Sequence, residues 1–268
     1  MMRPNPLRRA LDRGGLVVGH MVMEFVRPAV IQALSCLPLD FLLFDLEHTG
    51  LSLETLEPAL SVCRLTGIAP VVRVPGLSGH YVSRCLDLGA LGLMLPNVET
   101  PEQARAFVHA AKYAPMGGRG MALGAAHTGY QSVEPAAYAR WANEEIVLIA
   151  QIESKLGLTN CAAILETPGI DVGWVGATDL SLSLGVPGQF EHPSFLEALT
   201  TVANLCRERG KGAGIQPGDL KMASRWLRLG YNVISLSTDL YLYREALRDS
   251  LGQLRAIAVA PAGAQDQH

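Results

Sequence analysis

Eight short apolar runs, each followed by a helix-like stretch, recur along the chain at roughly 32-residue intervals, and no other feature constrains the fold as much. The runs cover residues 16–21, 41–47, 70–74, 91–96, 146–153, 172–176, 212–216 and 233–237. They are dense in Val, Ile and Leu and alternate little, as parallel strands covered on both faces should. Helices are expected over 52–66, 78–88, 100–113, 155–165, 192–209, 219–229 and 240–258. Ser52 and Thr100 are placed to cap helix starts, Pro101 suits a first turn, and Gly89, Gly210 and Gly230 follow helix ends. The same alternation builds either an open doubly wound sheet or a closed (β/α)8 TIM barrel. A length of 268 residues and a count of eight favour the barrel, which commonly takes about 250 residues. The expected organisation is one barrel domain over 1–259 and a frayed tail over 260–268.

Composition narrows the function classes. With 49% hydrophobic and 18% charged residues, the chain can bury a large core. Lys and Arg total 22 against 25 Asp and Glu, a formal charge of −3, so nothing favours gripping a phosphate backbone or an anionic membrane. No run approaches the roughly 20 apolar residues of a membrane helix, and no apolar signal core follows the basic start. The five cysteines are scattered without a C-x-x-C pair, which fits reduced thiols in a cytoplasm better than a disulfide framework or a zinc site. A cytoplasmic enzyme or binder of small molecules is the expectation.

In such a barrel the active site gathers where the strands end. Run two ends in Asp45, Glu47 and His48, run three in Arg73, and run four in Pro96-Asn97. Run five ends in Gln151 and Glu153, run six in Gly176, Ala177, Thr178 and Asp179, and run eight in Thr238-Asp239. Glu153 and Asp179 follow neighbouring strands, and two like charges in a dry pocket repel unless protonated or bridged by a cation. Oxygen-only ligands favour Mg²⁺ or Mn²⁺; the alternative is a pair of structural acids, salt-bridged to helices. His48 reads as a general base or as a solvated loop histidine. Arg73 needs an anion, from Asp45, Glu47 or a substrate oxygen gaining charge. The glycine-rich connection over 114–133 is too long for a simple turn and is expected to be functional or mobile. On it, Arg119 would meet a distal substrate carboxylate or merely solvate the loop. The helix start at 176–179 offers backbone N–H groups to an anion.

Seven segments in order carry a family resemblance: F-D-L-E-H (44–48), P-V-V-R-V (70–74), R-C-L-D-L-G-A-L-G-L-M-L-P (84–96), G-G-R-G (117–120), A-Q-I-E-S (150–154), V-G-A-T-D-L-S (175–181) and G-K-G-A-G-I (210–215). Together they resemble the class II, metal-dependent pyruvate aldolases typified by 4-hydroxy-2-oxoheptanedioate aldolase, within the HpcH/HpaI aldolase/citrate lyase superfamily. The likeness runs from about residue 14 to about residue 251. It implies a phosphoenolpyruvate/pyruvate-type barrel holding a divalent cation, Mg²⁺ or Mn²⁺ with Co²⁺ a further candidate, on Glu153 and Asp179. It also implies that Gln151 contacts the keto acid, that N–H groups of Thr178 and Asp179 hold its carboxylate, and that Arg73 stabilises the enolate. His48 would accept the proton, with Asp87 raising its basicity and Asp45 a second candidate for orienting it. The family usually has Gly at Leu46, Pro at Val74, and Pro-Ala before the aspartate where Ala177-Thr178 stand here, departures that bear on substrate more than on reaction type.

The implied reaction is reversible cleavage of a 4-hydroxy-2-oxo acid, of the kind met in aromatic or sugar acid catabolism, to pyruvate and an aldehyde. No lysine stands at a strand end, which argues against a Schiff-base aldolase. Related enolate chemistry on a citramalyl or citryl substrate or on oxaloacetate, and a non-catalytic keto-acid binder, remain as alternatives. The resemblance also implies a homo-oligomer, a hexamer, with the last helix packed on a neighbouring subunit.

Overall fold

The computed structural model describes residues 4–259; the tail expected over 260–268 lies outside them. In chain order the described residues form α1 (Pro6–Arg13), β1 (Val17–Val22), α2 (Pro28–Leu34), β2 (Phe41–Asp45), α3 (Leu53–Thr66), β3 (Ala69–Arg73), α4 (Gly79–Asp87), β4 (Gly92–Leu95) and α5 (Pro101–Ala111). There follow a 3₁₀ turn (Ala126–Thr128), α6 (Pro135–Glu145), β5 (Val147–Ile152), α7 (Lys155–Thr159), α8 (Cys161–Leu165), β6 (Val172–Val175) and α9 (Ala177–Ser183). The order ends with α10 (Pro193–Glu208), β7 (Gly212–Ile215), α11 (Leu220–Arg228), β8 (Val233–Thr238) and α12 (Asp239–Val259). The eight strands pair in parallel, each with the next and β8 with β1, into a closed barrel. The expected (β/α)8 architecture is therefore the one observed.

Two apolar layers follow from the two-residue strand period. Inward residues, among them Met21, Phe41, Leu43, Val71, Met94, Ile149, Val172 and Trp174, fill the barrel. Outward residues such as Leu42, Phe44, Val72, Leu93 and Leu148 pack under the helices. Glycines make room for the large rings inside: a β-carbon at Gly19 would strike Phe41, and one at Gly214 would strike Trp174. At the N-terminal end α1 closes the barrel, with Leu7 and Ala10 joining the interior cluster. The Asn5 side chain caps this helix by accepting from the Leu7 N–H, and its amide donates to the carbonyls of Leu91 (2.8 Å) and Glu145 (2.7 Å).

The structure departs from the expected elements in three ways. Helices α1, α2 and α6 were not anticipated; α2 has only seven residues, too short for periodicity to stand out, while α9 begins where a helix start was expected, at 176–179. The helix expected over 155–165 breaks at Asn160 into α7 and α8. The connection over 114–133 is packed down: the Gly118 N–H donates to His109 O (2.8 Å) and the Arg119 N–H to Lys112 O (3.0 Å). Side chains at Gly117 and Gly118 would collide with the end of α5, hence the glycine pair. All five cysteines are unpaired, four of them buried with thiol pKa values pushed to about 12 by burial. Among the described residues no helix is long and apolar enough to cross a membrane.

Candidate active site

The polar strand ends converge at the C-terminal mouth. Asp45 and Arg73 are register partners on β2 and β3, both on the inward phase. Asp45 is fully buried and receives the Arg73 guanidinium through Nε and Nη2, each at 2.7 Å from one carboxylate oxygen. This fork is the geometry that arginine provides and lysine does not. Asp45 also accepts the backbone N–H groups of Glu47 (3.0 Å) and His48 (3.3 Å), so one carboxylate aims Arg73 and shapes the turn carrying the histidine. Burial works against the charged guanidinium, but Asp45, Glu47 and Glu153 outweigh it and hold its pKa above the ordinary value.

Glu47 lies between Arg73 and His48. Its Oε2 is 3.3 Å from Arg73 Nε and 3.6 Å from His48 Nε2, ion-pair distances without a hydrogen bond. Burial raises the Glu47 pKa against the opposing pull of Arg73 and His48, and the charges of Asp45 and Asp179 raise it further. The His48 side chain is 58% exposed, open to whatever enters the mouth. Glu47 was expected only as one possible anion for Arg73. Its place between the arginine and the histidine depends on the turn after β2, which spacing does not reveal.

Across the mouth, Glu153 follows β5 and is 7% exposed. One carboxylate oxygen accepts the Asn97 N–H (2.7 Å) and the other the Gln151 amide N–H (2.5 Å). Burial raises its pKa to about 7; the bonds from Asn97 and Gln151 oppose the rise, and the charges of Glu47 and Asp179 add to it. Asn97 takes a left-handed φ of 51° to present that N–H, a conformation asparagine tolerates better than most residues. Gly176 leaves the space this carboxylate occupies. Beyond Gly176, α9 begins without a side-chain cap, so its first N–H groups have no intrahelical partner, and Thr178 and Asp179 are exposed there. The buried Gln151 Oε1 also lacks a partner. Of the departures from the family pattern, Leu46 and Val74 are buried in the outer core, and Thr178 stands at the mouth.

Two expected site residues lie elsewhere. Asp87 ends α4, which runs back from the mouth, and it stands five residues before β4 begins, at the N-terminal side of the barrel. Its carboxylate accepts from Arg119 Nη2 (2.6 Å), and its carbonyl bonds the His127 ring (3.1 Å). The Arg119 side chain is fully buried, its guanidinium 4.7 Å from the Tyr113 ring centroid. Within the chain, then, Asp87 is not beside His48 and Arg119 is not in the mouth. The reason is topological: the ends of helices in a parallel barrel return to the face opposite the ends of strands. The residue actually beside the His48 ring is Glu47, while Asp45 holds the backbone of His48 and not its ring.

Among the described residues no three His, Cys, Asp or Glu side chains converge as a metal cage. Glu153 and Asp179 form a two-carboxylate, oxygen-only set, close enough for one charge to raise the pKa of the other. That suits a hard divalent cation keeping positions open for water and substrate.

Residues 21–246 match the family described as HpcH/HpaI aldolase/citrate lyase. The chain is 33% identical over 258 residues to a 2-keto-3-deoxy-L-rhamnonate aldolase of Klebsiella pneumoniae subsp. pneumoniae, covering 96% of each chain. An HpcH/HpaI aldolase from Desulfitobacterium hafniense superposes with a TM-score of 0.89 at 29% identity, over 96% of this chain and 98% of that one. A citrate synthase does so with a TM-score of 0.83 at 26% identity, over 94% and 98%.

Proposed function

The chain belongs to the HpcH/HpaI aldolase/citrate lyase family, and from that premise we propose that it is a divalent-metal-dependent lyase that reversibly cleaves a 4-hydroxy-2-oxo acid to pyruvate and an aldehyde. One observation carries the reading: a buried Glu153 carboxylate with its pKa near 7, set beside Asp179 and across the mouth from a carboxylate-aimed Arg73. Glu153 and Asp179 would hold the cation. When bound, it supplies Lewis-acid stabilisation of charge on the keto and carboxylate oxygens of the substrate.

The remaining work falls to the chain's own side chains. The free N–H groups at the start of α9, near Thr178 and Asp179, receive the keto acid's carboxylate. Gln151 lines the floor of the same pocket. His48 takes the proton from the C4 hydroxyl, the C3–C4 bond breaks, and its electron pair passes into the pyruvate unit as an enolate. Arg73, already oriented by Asp45, meets the charge that develops on the C2 oxygen. Protonation at C3 then gives pyruvate. Because the named relatives act on 2-keto-3-deoxy-L-rhamnonate, a 2-oxo acid lacking the C3 hydroxyl, sugar-derived acids of that pattern are the first substrates to try. The citrate synthase likeness supports a second reading, enolate chemistry on another acceptor, as in citryl- or citramalyl-type lyases or oxaloacetate decarboxylation. A homo-oligomer, with the hexamer first in view, fits the exposed Tyr241, Tyr243, Leu247, Leu251 and Leu254 of α12.

The test is hydrogen–deuterium exchange at pyruvate C3 in D₂O, with chelated protein and with Mg²⁺ or Mn²⁺ restored, followed by a panel of aldehydes. Metal-dependent exchange and aldol products are expected. Absence of exchange with every cation would sink the proposal, and exchange without any aldol product would favour the second reading.

A further inference from the structure

The mouth has another wall, opposite Glu153. In the closed order of strands β1 stands four places from β5. Along β1, Val17 and Met21 point inward, and Met23, one residue past the strand, packs on the same interior cluster while only partly buried. The two-residue period therefore carries Met23 over the interior packing and into the mouth. Residues 23–25 belong to no helix or strand, and one side chain holds their backbone. Asp239, the first residue of α12 and 7% exposed, accepts the N–H groups of Met23 (3.1 and 3.2 Å), Glu24 (2.9 Å) and Phe25 (2.7 Å). The Phe25 ring meets Tyr243 of the same helix edge-on at 5.7 Å.

We propose that Asp239 is a positioning residue that aims Met23 at the part of the substrate beyond the cleaved bond, so that residues 23–25 discriminate between aldehydes. The inference rests on the aldolase reading above. Arg73, Gln151, Glu153 and the start of α9 come from β3, β5 and β6 and confine the pyruvate half, so a longer substrate extends toward the opposite wall. There it meets an unbranched, adaptable thioether. Three bonds from neighbouring N–H groups to one charged acceptor make the segment move or stay as a unit.

The experiment uses the full chain with Mn²⁺ and the variants Asp239→Asn, Asp239→Ala and Met23→Ala. It reads amide hydrogen exchange at residues 23–25, deuterium exchange into pyruvate, and kcat/KM for two 4-hydroxy-2-oxo acids that differ only beyond C4. In Asp239→Ala the three amides should lose protection, and the ratio of the two kcat/KM values should shift by about tenfold or more, through KM more than kcat. Asp239→Asn, which keeps one acceptor oxygen, should fall between. Met23→Ala should shift the ratio with the amides still protected. Exchange into pyruvate should fall by less than about threefold in all three variants. An unchanged ratio in every variant, or an equal loss of exchange and cleavage, overturns the inference. A wild-type protein that does not exchange pyruvate overturns the aldolase reading itself, and this inference with it.

Discussion

Gly176 backs directly onto Glu153: a β-carbon at position 176 would fall on the Glu153 carboxylate and come within 2.8 Å of Gln151 Nε2. Its φ of −80° is open to any residue, so space and not backbone freedom requires glycine here. Gly176→Ala should displace Glu153, destabilise the protein by about 1–3 kcal/mol through overpacking, and weaken cation binding. Calorimetric titration of chelated protein with Mn²⁺ checks this. Wild-type affinity in the variant would remove Glu153 from the metal site.

Arg73 is aimed by a carboxylate with no exposure at all, so the pair should fail asymmetrically. Arg73→Lys keeps the charge but loses the fork, and kcat is expected to drop on the order of 10²-fold. Asp45→Asn takes the charged, hydrogen-bonded partner from a largely buried guanidinium, leaving Glu47 at 3.3 Å as the nearest anion, and loosens the turn before His48. Its cost should show in denaturant melts as about 3–5 kcal/mol, the range for a broken buried pair. An Arg73→Lys variant with near wild-type kcat would make Arg73 a structural partner of Asp45 only.

The barrel was legible because its signal is repetitive: eight apolar runs cannot all be misread, even where an end is misplaced by two or three residues. The mouth was legible for the same reason, since Arg73 ends β3, Glu153 directly follows β5 and Asp179 lies in the first turn after β6. What escaped was carried by contacts distant in sequence or by short turns. Glu47 between Arg73 and His48, the Asn97 N–H on Glu153 and the Asp239 clamp all depend on backbone paths after strand ends. The family likeness gives Asp87 a role beside His48 without saying where in one chain the residue sits, and within the chain it ends α4 and pairs with Arg119. Short helices such as α2 leave no periodic trace at all.

Stability should depend on pH through Glu153. Its pKa rises from an ordinary value near 4.5 to about 7 in the fold, so the folded state binds the proton more tightly than the unfolded chain. The contribution is full below about 4.5 and is lost as pH rises through about 7. Chelated protein should therefore melt at progressively lower temperature across that window, and Glu153→Gln should flatten the trend. Glu47, also raised, adds with the same sign. A cation needs the carboxylate form, so its affinity should climb with pH until about 7 and then level off, with protons released on binding below that point. Melting curves from pH 5 to 8, with and without Mn²⁺, decide the matter; identical trends in wild type and Glu153→Gln would rule it out.

His48 is exposed and touches no group that binds the pyruvate half directly, so binding and chemistry should separate. His48→Ala is expected to slow cleavage by roughly 10²–10⁴-fold while calorimetric affinity for pyruvate or oxamate changes little. Equal losses in both would reduce His48 to a positioning role and assign the proton to another group.

Asp87 offers the sharpest contrast between a catalytic and a structural reading. Its partner Arg119 is fully buried, with Nε and Nη1 already without partners, so Asp87→Asn would leave that cation without its carboxylate. Removing one member of a buried pair costs about 3–5 kcal/mol, and because Asp87 is itself one-third exposed the lower part of that range is expected. Replacing both residues, Asp87→Asn with Arg119→Met, should recover much of the loss, since the stranded charge disappears with its partner. Under this reading the acidic limb of the kcat/KM profile keeps its position in Asp87→Asn once activity is scaled to the folded fraction. A limb displaced to lower pH in a variant that melts like wild type would instead mean that Asp87 acts on His48, and the placement of Asp87 within its own chain would then not account for its function.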